Sequence, residues 1–189
     1  MQDSSIEEII SADEPESMIY ANLTVYAEET AKDVIERLKS LSVKLVLAES
    51  CTAGLISGLL ANISGASEVL WGSFVCYTQE AKAQMLGCDN DALNKHGLVS
   101  FETACAMAEG ALKKSGTISA GADIAAAVTG LAGPGGDGVN PVGTVWIAAA
   151  QQGKKTEAKK YNFAGSRNIV RMSAAAAVMK EILKVLSAY

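Results

Sequence analysis

The chain contains one histidine, and that scarcity removes the most familiar way of activating a nucleophile. A Ser-His-Asp site would have to use His96. That residue sits in Asp91-Ala92-Leu93-Asn94-Lys95-His96-Gly97, which reads as a helix C-terminus with Gly97 as its left-handed cap. The four cysteines, Cys51, Cys76, Cys88 and Cys105, form no C-x-x-C pair. With a single histidine they supply no cluster of zinc-ligand spacing, so no metal site is expected. They lie in apolar or small-residue patterns, as reduced core thiols of a cytoplasmic protein do. Cys51 reads first as a packing residue at a turn and second as a reactive thiol.

Positive charge is also short. A net charge of −5 and a pI near 5.0 argue against a nucleic-acid surface. The lysines at Lys113-Lys114 and from Lys154 to Lys160 read as solvated faces. No apolar run reaches membrane-spanning length, and the start of the chain is acidic where a secretion signal would be basic. Neither a nucleic-acid partner nor a membrane is therefore expected. There is no internal repeat and no sign of a second domain.

What is present suits one domain with a sizeable core: 189 residues, 49% of them apolar. The first sixteen or so residues are acidic and broken by Pro15, which predicts a disordered or loosely packed extension. Residues 1–29 are taken as that extension, partly disordered or helical, and 30–189 as the folded domain. A helix is expected near 30–41, and the apolar stretch from Met18 to Tyr26 either joins it or packs against a partner subunit. Alternation then begins: a strand at 44–48, a helix at 52–62, a strand at 72–77, and short helices at 78–86 and 90–96. Ser100 is a good N-cap for a helix running to about Lys114. A small-residue strand follows at 123–129, then a glycine-rich loop, a hairpin of 142–150 with 156–163, and a last helix opening near Gly165-Ser166-Arg167. This order implies a three-layer α/β/α sandwich with a mixed, mostly parallel sheet.

Four places carry possible chemistry. Ser50 follows the apolar strand Leu45-Val46-Leu47-Ala48-Glu49, at a strand-to-helix turn, and reads first as a cap and second as a nucleophile. Tyr77 ends the next strand, and Lys82 lies about one turn into the helix after it. A lysine there reads as solvated or as a general base. The second role needs a pKa brought from ~10.4 toward ~7, about 4–5 kcal/mol in favour of the neutral form. The loop Thr129-Gly130-Leu131-Ala132-Gly133-Pro134-Gly135-Gly136-Asp137-Gly138 could approach a ligand closely through its glycines. It is not a P-loop, because no Gly-Lys-Ser/Thr follows, and it opens onto a strand where a Rossmann loop would open onto a helix. Arg167 at the start of the last helix suits a phosphate or carboxylate, or is an exposed capping turn.

Taken together and in this order, the motifs resemble one family: the nicotinamide-nucleotide amidases, equivalent to the C-terminal domain of the competence/damage-inducible CinA proteins. The resemblance rests on Ala48-Glu49-Ser50-Cys51-Thr52-Ala53-Gly54, Tyr77-Thr78-Gln79-Glu80-Ala81-Lys82, and His96-Gly97 followed by Val99-Ser100. It continues through Thr129 to Gly136, Pro141-Val142-Gly143-Thr144-Val145-Trp146, and the helix opening at Gly165-Ser166-Arg167. It covers roughly residues 30–187 and implies hydrolysis of the carboxamide of nicotinamide mononucleotide to nicotinate mononucleotide and ammonia, in pyridine-nucleotide salvage.

By position, the resemblance makes Ser50 the nucleophile, Lys82 its base and Tyr77 an assisting hydroxyl. Glu49, Cys51, Thr52, Thr129, Gly130, Gly133, Gly135 and Arg167 fall to substrate binding. The oxyanion would be met by N–H groups at the start of the Thr52 helix. No metal or organic cofactor is implied; the partners are a small nucleotide and other copies of the chain. Two positions depart from the family pattern. Ala53 stands where glycine is common, tolerable if its φ is negative. Ser166 stands where aspartate is common, and serine caps a helix equally well. Two other functions stay open: a Ser-Lys amidase for another small amide, and a silent ligand-binding or oligomerisation module.

Overall fold

The elements follow from where apolar side chains repeat at a period of two or about 3.6. In the computed structural model, which describes residues 5–11, 13–116 and 121–189, they run α1 (Ile6–Ser11), α2 (Glu16–Leu41), β1 (Leu45–Glu49), α3 (Leu55–Ala61), α4 (Ala66–Val69) and β2 (Leu70–Val75). A short α5 (Gln79–Ala81) opens into a wide π-helical turn, Lys82–Leu86, followed by α6 (Asn90–His96) and α7 (Phe101–Ser115). Then come β3 (Ile124–Gly130), β4 (Thr144–Gln151), β5 (Glu157–Asn162) and α8 (Arg167–Ser187).

The five strands form one sheet in the order β2-β1-β3-β4-β5. β1 pairs parallel with both β2 and β3, while β4 runs antiparallel to β3 and to β5. Only β4 therefore opposes the common direction, and the sheet is mixed and mostly parallel. β1 is buried along its whole length, so its neighbours in sequence serve opposite cores. Leu45 and Leu47 face α2, α3 and α8, with Leu38, Ile56 and Met179 in the same cluster. Val46 and Ala48 face α7, beside Ala125, Ala127, Ala148 and Met107. Helices cover both faces, giving the three-layer sandwich that the alternation predicts.

Several boundaries differ from expectation, each for a local reason. The helix expected at 30–41 begins at Glu16, because Leu23, Ala27, Ala31, Val34 and Leu38 keep one buried stripe going. The stretch from Met18 to Tyr26 thus joins that helix. The start of the chain is not a loose extension throughout: α1 is helical and Ile6 is buried in the core. The helix expected from 52 begins only at Leu55, after a tight turn. Gly97 ends α6 with φ +84 but ψ 158, so it is not a left-handed cap. Ser100 caps α7 as expected, its hydroxyl accepting from the Thr103 N–H at 3.1 Å. Among the described residues, no helix is long and apolar enough to cross a membrane.

Candidate active site

β1 lies between β2 and β3, so the segments leaving the carboxyl ends of all three strands meet around Ser50. The Ser50 N–H donates to Val128 O at 3.1 Å, which carries the β1–β3 ladder one residue beyond the strand. Its hydroxyl is therefore delivered by the stiffest part of the sheet. Lys82 comes to it from the first π-turn position, with Nζ 3.0 Å from Ser50 Oγ. Nζ also donates to Cys76 O at 3.0 Å and to Tyr77 O at 3.5 Å.

Lys82 is only 1% exposed, and among the described residues it forms no salt bridge. Burial of an unpaired ammonium pushes its pKa below 10.5, partly opposed by the thiols of Cys76, Cys88 and Cys51. A neutral amine has two N–H bonds and one lone pair. The two carbonyls take the N–H bonds, and the lone pair is left to accept the Ser50 proton.

The turn after Ser50 is held by Glu49, which is fully buried. Its carboxylate accepts from the N–H groups of Gly54 (2.9 Å), Ile56 (3.1 Å) and Ser57 (3.0 Å), and from the Ser73 hydroxyl (3.1 Å). A carboxylate at a helix N-terminus satisfies orphan donors and complements the helix dipole. Glu49 thus caps α3 and does not line the groove; this corrects its assignment to substrate binding. The cap also changes the oxyanion reading, because the first N–H groups of α3 are already occupied. Among the described residues the Cys51 N–H donates to no acceptor and Cys51 lines the groove, so it is the donor left free beside Ser50.

Ala53 takes φ +52, against the expectation of a negative value, and so does in alanine what glycine does without strain. Thr52 is fully buried, its hydroxyl has no partner among the described residues, and it does not line the groove. Burial lifts the Cys51 thiol to about 11, which disfavours its thiolate.

The groove itself is a cavity of about 440 Å³ with Ser50, Lys82 and Cys51 at one end and Tyr77 and Arg167 in its lining. Thr129, Gly130, Gly133 and Gly135 form its loop wall. Thr129 Oγ1 donates to Leu98 O at 2.7 Å, tying that wall to the segment after α6. Gly130 is required by close approach: a Cβ there would stand 2.7 Å from Thr144 O.

Tyr77 is half exposed, and its hydroxyl accepts from Arg167 Nη2 at 2.7 Å; Arg167 also reaches Gly133 O. The Tyr77 hydroxyl is therefore turned to the rim, and only the Tyr77 backbone meets Lys82. Ser166 does not cap α8; its hydroxyl bonds Glu16. His96 lies outside the groove, its Nδ1 3.4 Å from Glu102.

Residues 27–186 match the CinA C-terminal domain. The chain belongs to that family. A CinA-like protein of Thermotoga maritima is 40% identical over 160 residues, which is 84% of this chain and 38% of that protein. A CinA-like protein of Syntrophobacter fumaroxidans is 40% identical over 157 residues, 82% of this chain and 36% of that protein. The chain thus spans under two-fifths of the length of those relatives.

Solved structures match more completely. The competence/damage inducible protein of Agrobacterium tumefaciens is 37% identical with a TM-score of 0.79, covering 86% of this chain and 96% of that one. A CinA superfamily protein of Klebsiella pneumoniae is 30% identical with a TM-score of 0.80, covering 86% and 99%.

Sequence reasoning missed one residue of this CinA domain that touches the Ser50 turn. Arg171 donates from Nε to Cys51 O at 3.1 Å and from Nη2 to Thr52 O at 2.7 Å. A signal existed: a second arginine four residues after Arg167, within a helix whose residues are otherwise buried from Ile169 to Met179. Asp137 was also passed over. It lines the groove, and its carboxylate accepts from the Val139 and Asn140 N–H groups, which holds it below the usual carboxylate range.

Proposed function

We propose that this domain hydrolyses the carboxamide of nicotinamide mononucleotide to nicotinate mononucleotide and ammonia. The observation that carries the reading is a buried lysine with no carboxylate partner among the described residues, 3.0 Å from a serine hydroxyl at the end of the central strand β1. As Ser50 Oγ attacks the carboxamide carbon, Lys82 takes its proton. The oxyanion is met by the Cys51 N–H group, a donor of this kind being worth ~3–4 kcal/mol. The C–N bond then breaks, and Lys82 returns the proton to the leaving nitrogen as ammonia departs. Water adds to the acyl-serine while Lys82 takes its proton. The ester bond breaks, the proton goes back to Ser50 Oγ, and nicotinate mononucleotide leaves.

The rim suits the other end of the substrate. Arg167 and the N–H groups opening α8 offer charge-assisted bonds to a phosphate, with Tyr77 orienting the guanidinium. This assigns Tyr77 to the phosphate end. The reading also has the protein working in the cytoplasm as a homo-oligomer; exposed Met18 and Val25 on α2 are apolar surface of the kind a second copy covers.

The decisive experiment measures ammonia from nicotinamide mononucleotide against nicotinamide alone. The wild type is expected to prefer the nucleotide, and folded Ser50→Ala and Lys82→Ala proteins to release none. Turnover of other small amides but not the nucleotide would replace the substrate. Nucleotide binding without ammonia would make the domain a silent ligand-binding module.

A further inference from the structure

Arg171 stands outside the groove, half-buried, and among the described residues it pairs with no carboxylate. Its bonds go instead to two consecutive backbone carbonyls in the turn that follows Ser50, at 3.1 and 2.7 Å. The peptides of this turn are trans, so each C=O points opposite to the N–H of the next residue. Fixing Ser50 O on the Ala53 N–H therefore fixes the Cys51 N–H on the opposite side of its peptide, and Cys51 lines the groove. The Thr52–Ala53 peptide is held by three bonds: Arg171 and the Leu55 N–H (3.2 Å) on Thr52 O, and the Ala53 N–H on Ser50 O at 3.0 Å. Glu49 secures the end of the same turn through the Gly54 N–H.

We infer that Arg171 is the positioning residue for the oxyanion donor: it grips the turn by its carbonyls and, through the Ala53 N–H bonded to Ser50 O, aims the Cys51 N–H into the groove that Cys51 lines. The inference rests on the acyl-transfer reading above. It adds that α8 contributes to both ends of the reaction. Arg167 serves the groove mouth, and Arg171, one helical turn later, serves the back of the Ser50 turn. A fork of N–H donors can hold two adjacent carbonyls at once, which a lysine ammonium does with less geometric control.

The test compares wild type, Arg171→Lys and Arg171→Ala by ammonia release and by acetylation of Ser50 with p-nitrophenyl acetate, read by mass spectrometry. Melting curves establish that each variant is folded at the assay temperature. The Ala variant is expected to lose about 10²-fold in kcat, with KM changed less than about threefold. The Lys variant should fall between it and wild type. Added guanidinium ion at millimolar concentration is expected to restore part of the Ala variant's rate; a purely structural tie would lower the melting temperature and leave kcat unmoved.

The two readings fail separately. Wild-type acetylation at Ser50 without ammonia from the nucleotide overturns the substrate, and the acetylation rates then test Arg171 alone. Folded variants that acetylate and turn over at the wild-type rate overturn the role of Arg171. No acetylation of wild-type Ser50 overturns both.

Discussion

At the inner end of the groove, Ser50 is 6% exposed and Lys82 1%, and each is held by backbone groups of β2 or β3 and the turns after them. At the outer end, Tyr77 is 51% exposed, and Arg167 reaches it from α8. Rigid parts place the reacting groups, and adaptable parts face the bulk of the ligand. Damage at the two ends should therefore be legible in different kinetic constants.

The largest effect should come from the inner end. Lys82→Met removes the base and is expected to cost about 10³-fold or more in kcat, measured by ammonia release. In the wild type the rate should rise with pH as Lys82 loses its proton, with a midpoint below 10.5 because of burial. The same depression has a thermodynamic sign. Between the folded midpoint and 10.5 the unfolded chain binds more protons at this residue than the native state does, so stability rises with pH across that window. Methionine does not titrate. The melting-temperature gap between wild type and Lys82→Met should therefore move in favour of the wild type as pH climbs toward 10.5; a constant gap would mean that Lys82 is not depressed.

Arg167→Ala tests the outer end. KM for the nucleotide should rise roughly tenfold or more, with kcat within about threefold, and activity on a phosphate-free analogue should be little affected. A fall in kcat of the Lys82 size would erase the distinction between the two ends. Glu49→Gln asks whether the inner end is as over-determined as it looks. It puts an amide N–H₂ among four donors and should cost about 2 kcal/mol of stability, read by denaturant unfolding. The smallest effect runs the other way. Ala53→Gly relieves a left-handed alanine and should stabilise the protein by about 1 kcal/mol without changing the rate.

The sheet and its helices were legible because buried strands and apolar stripes leave periodic marks. The meeting of Ser50, Lys82 and the Thr129 loop was legible too, since parallel strands send their carboxyl ends to one edge. What escaped were side chains whose partners are backbone groups. Glu49 and Arg171 bind N–H and C=O groups that every residue carries, so nothing in the identity of Gly54, Ile56, Cys51 or Thr52 announces them. The Tyr77 hydroxyl was misplaced for a related reason. A residue at a strand end can turn inward or outward, and Arg167, ninety positions away in sequence, decides which.

The wide turn at Lys82–Leu86 has a consequence for chain length. A π turn closes one residue later than an α turn, so it holds one residue more than the helix needs for the same advance. Lys82 stands before that surplus and Leu86 after it, both buried, while Gln84 and Met85 between them are exposed. Elsewhere in a helix an insertion or deletion rotates everything beyond it by about 100°. Here the chain has slack that can take up a one-residue change on the solvent side, leaving the lysine where β2 delivers it.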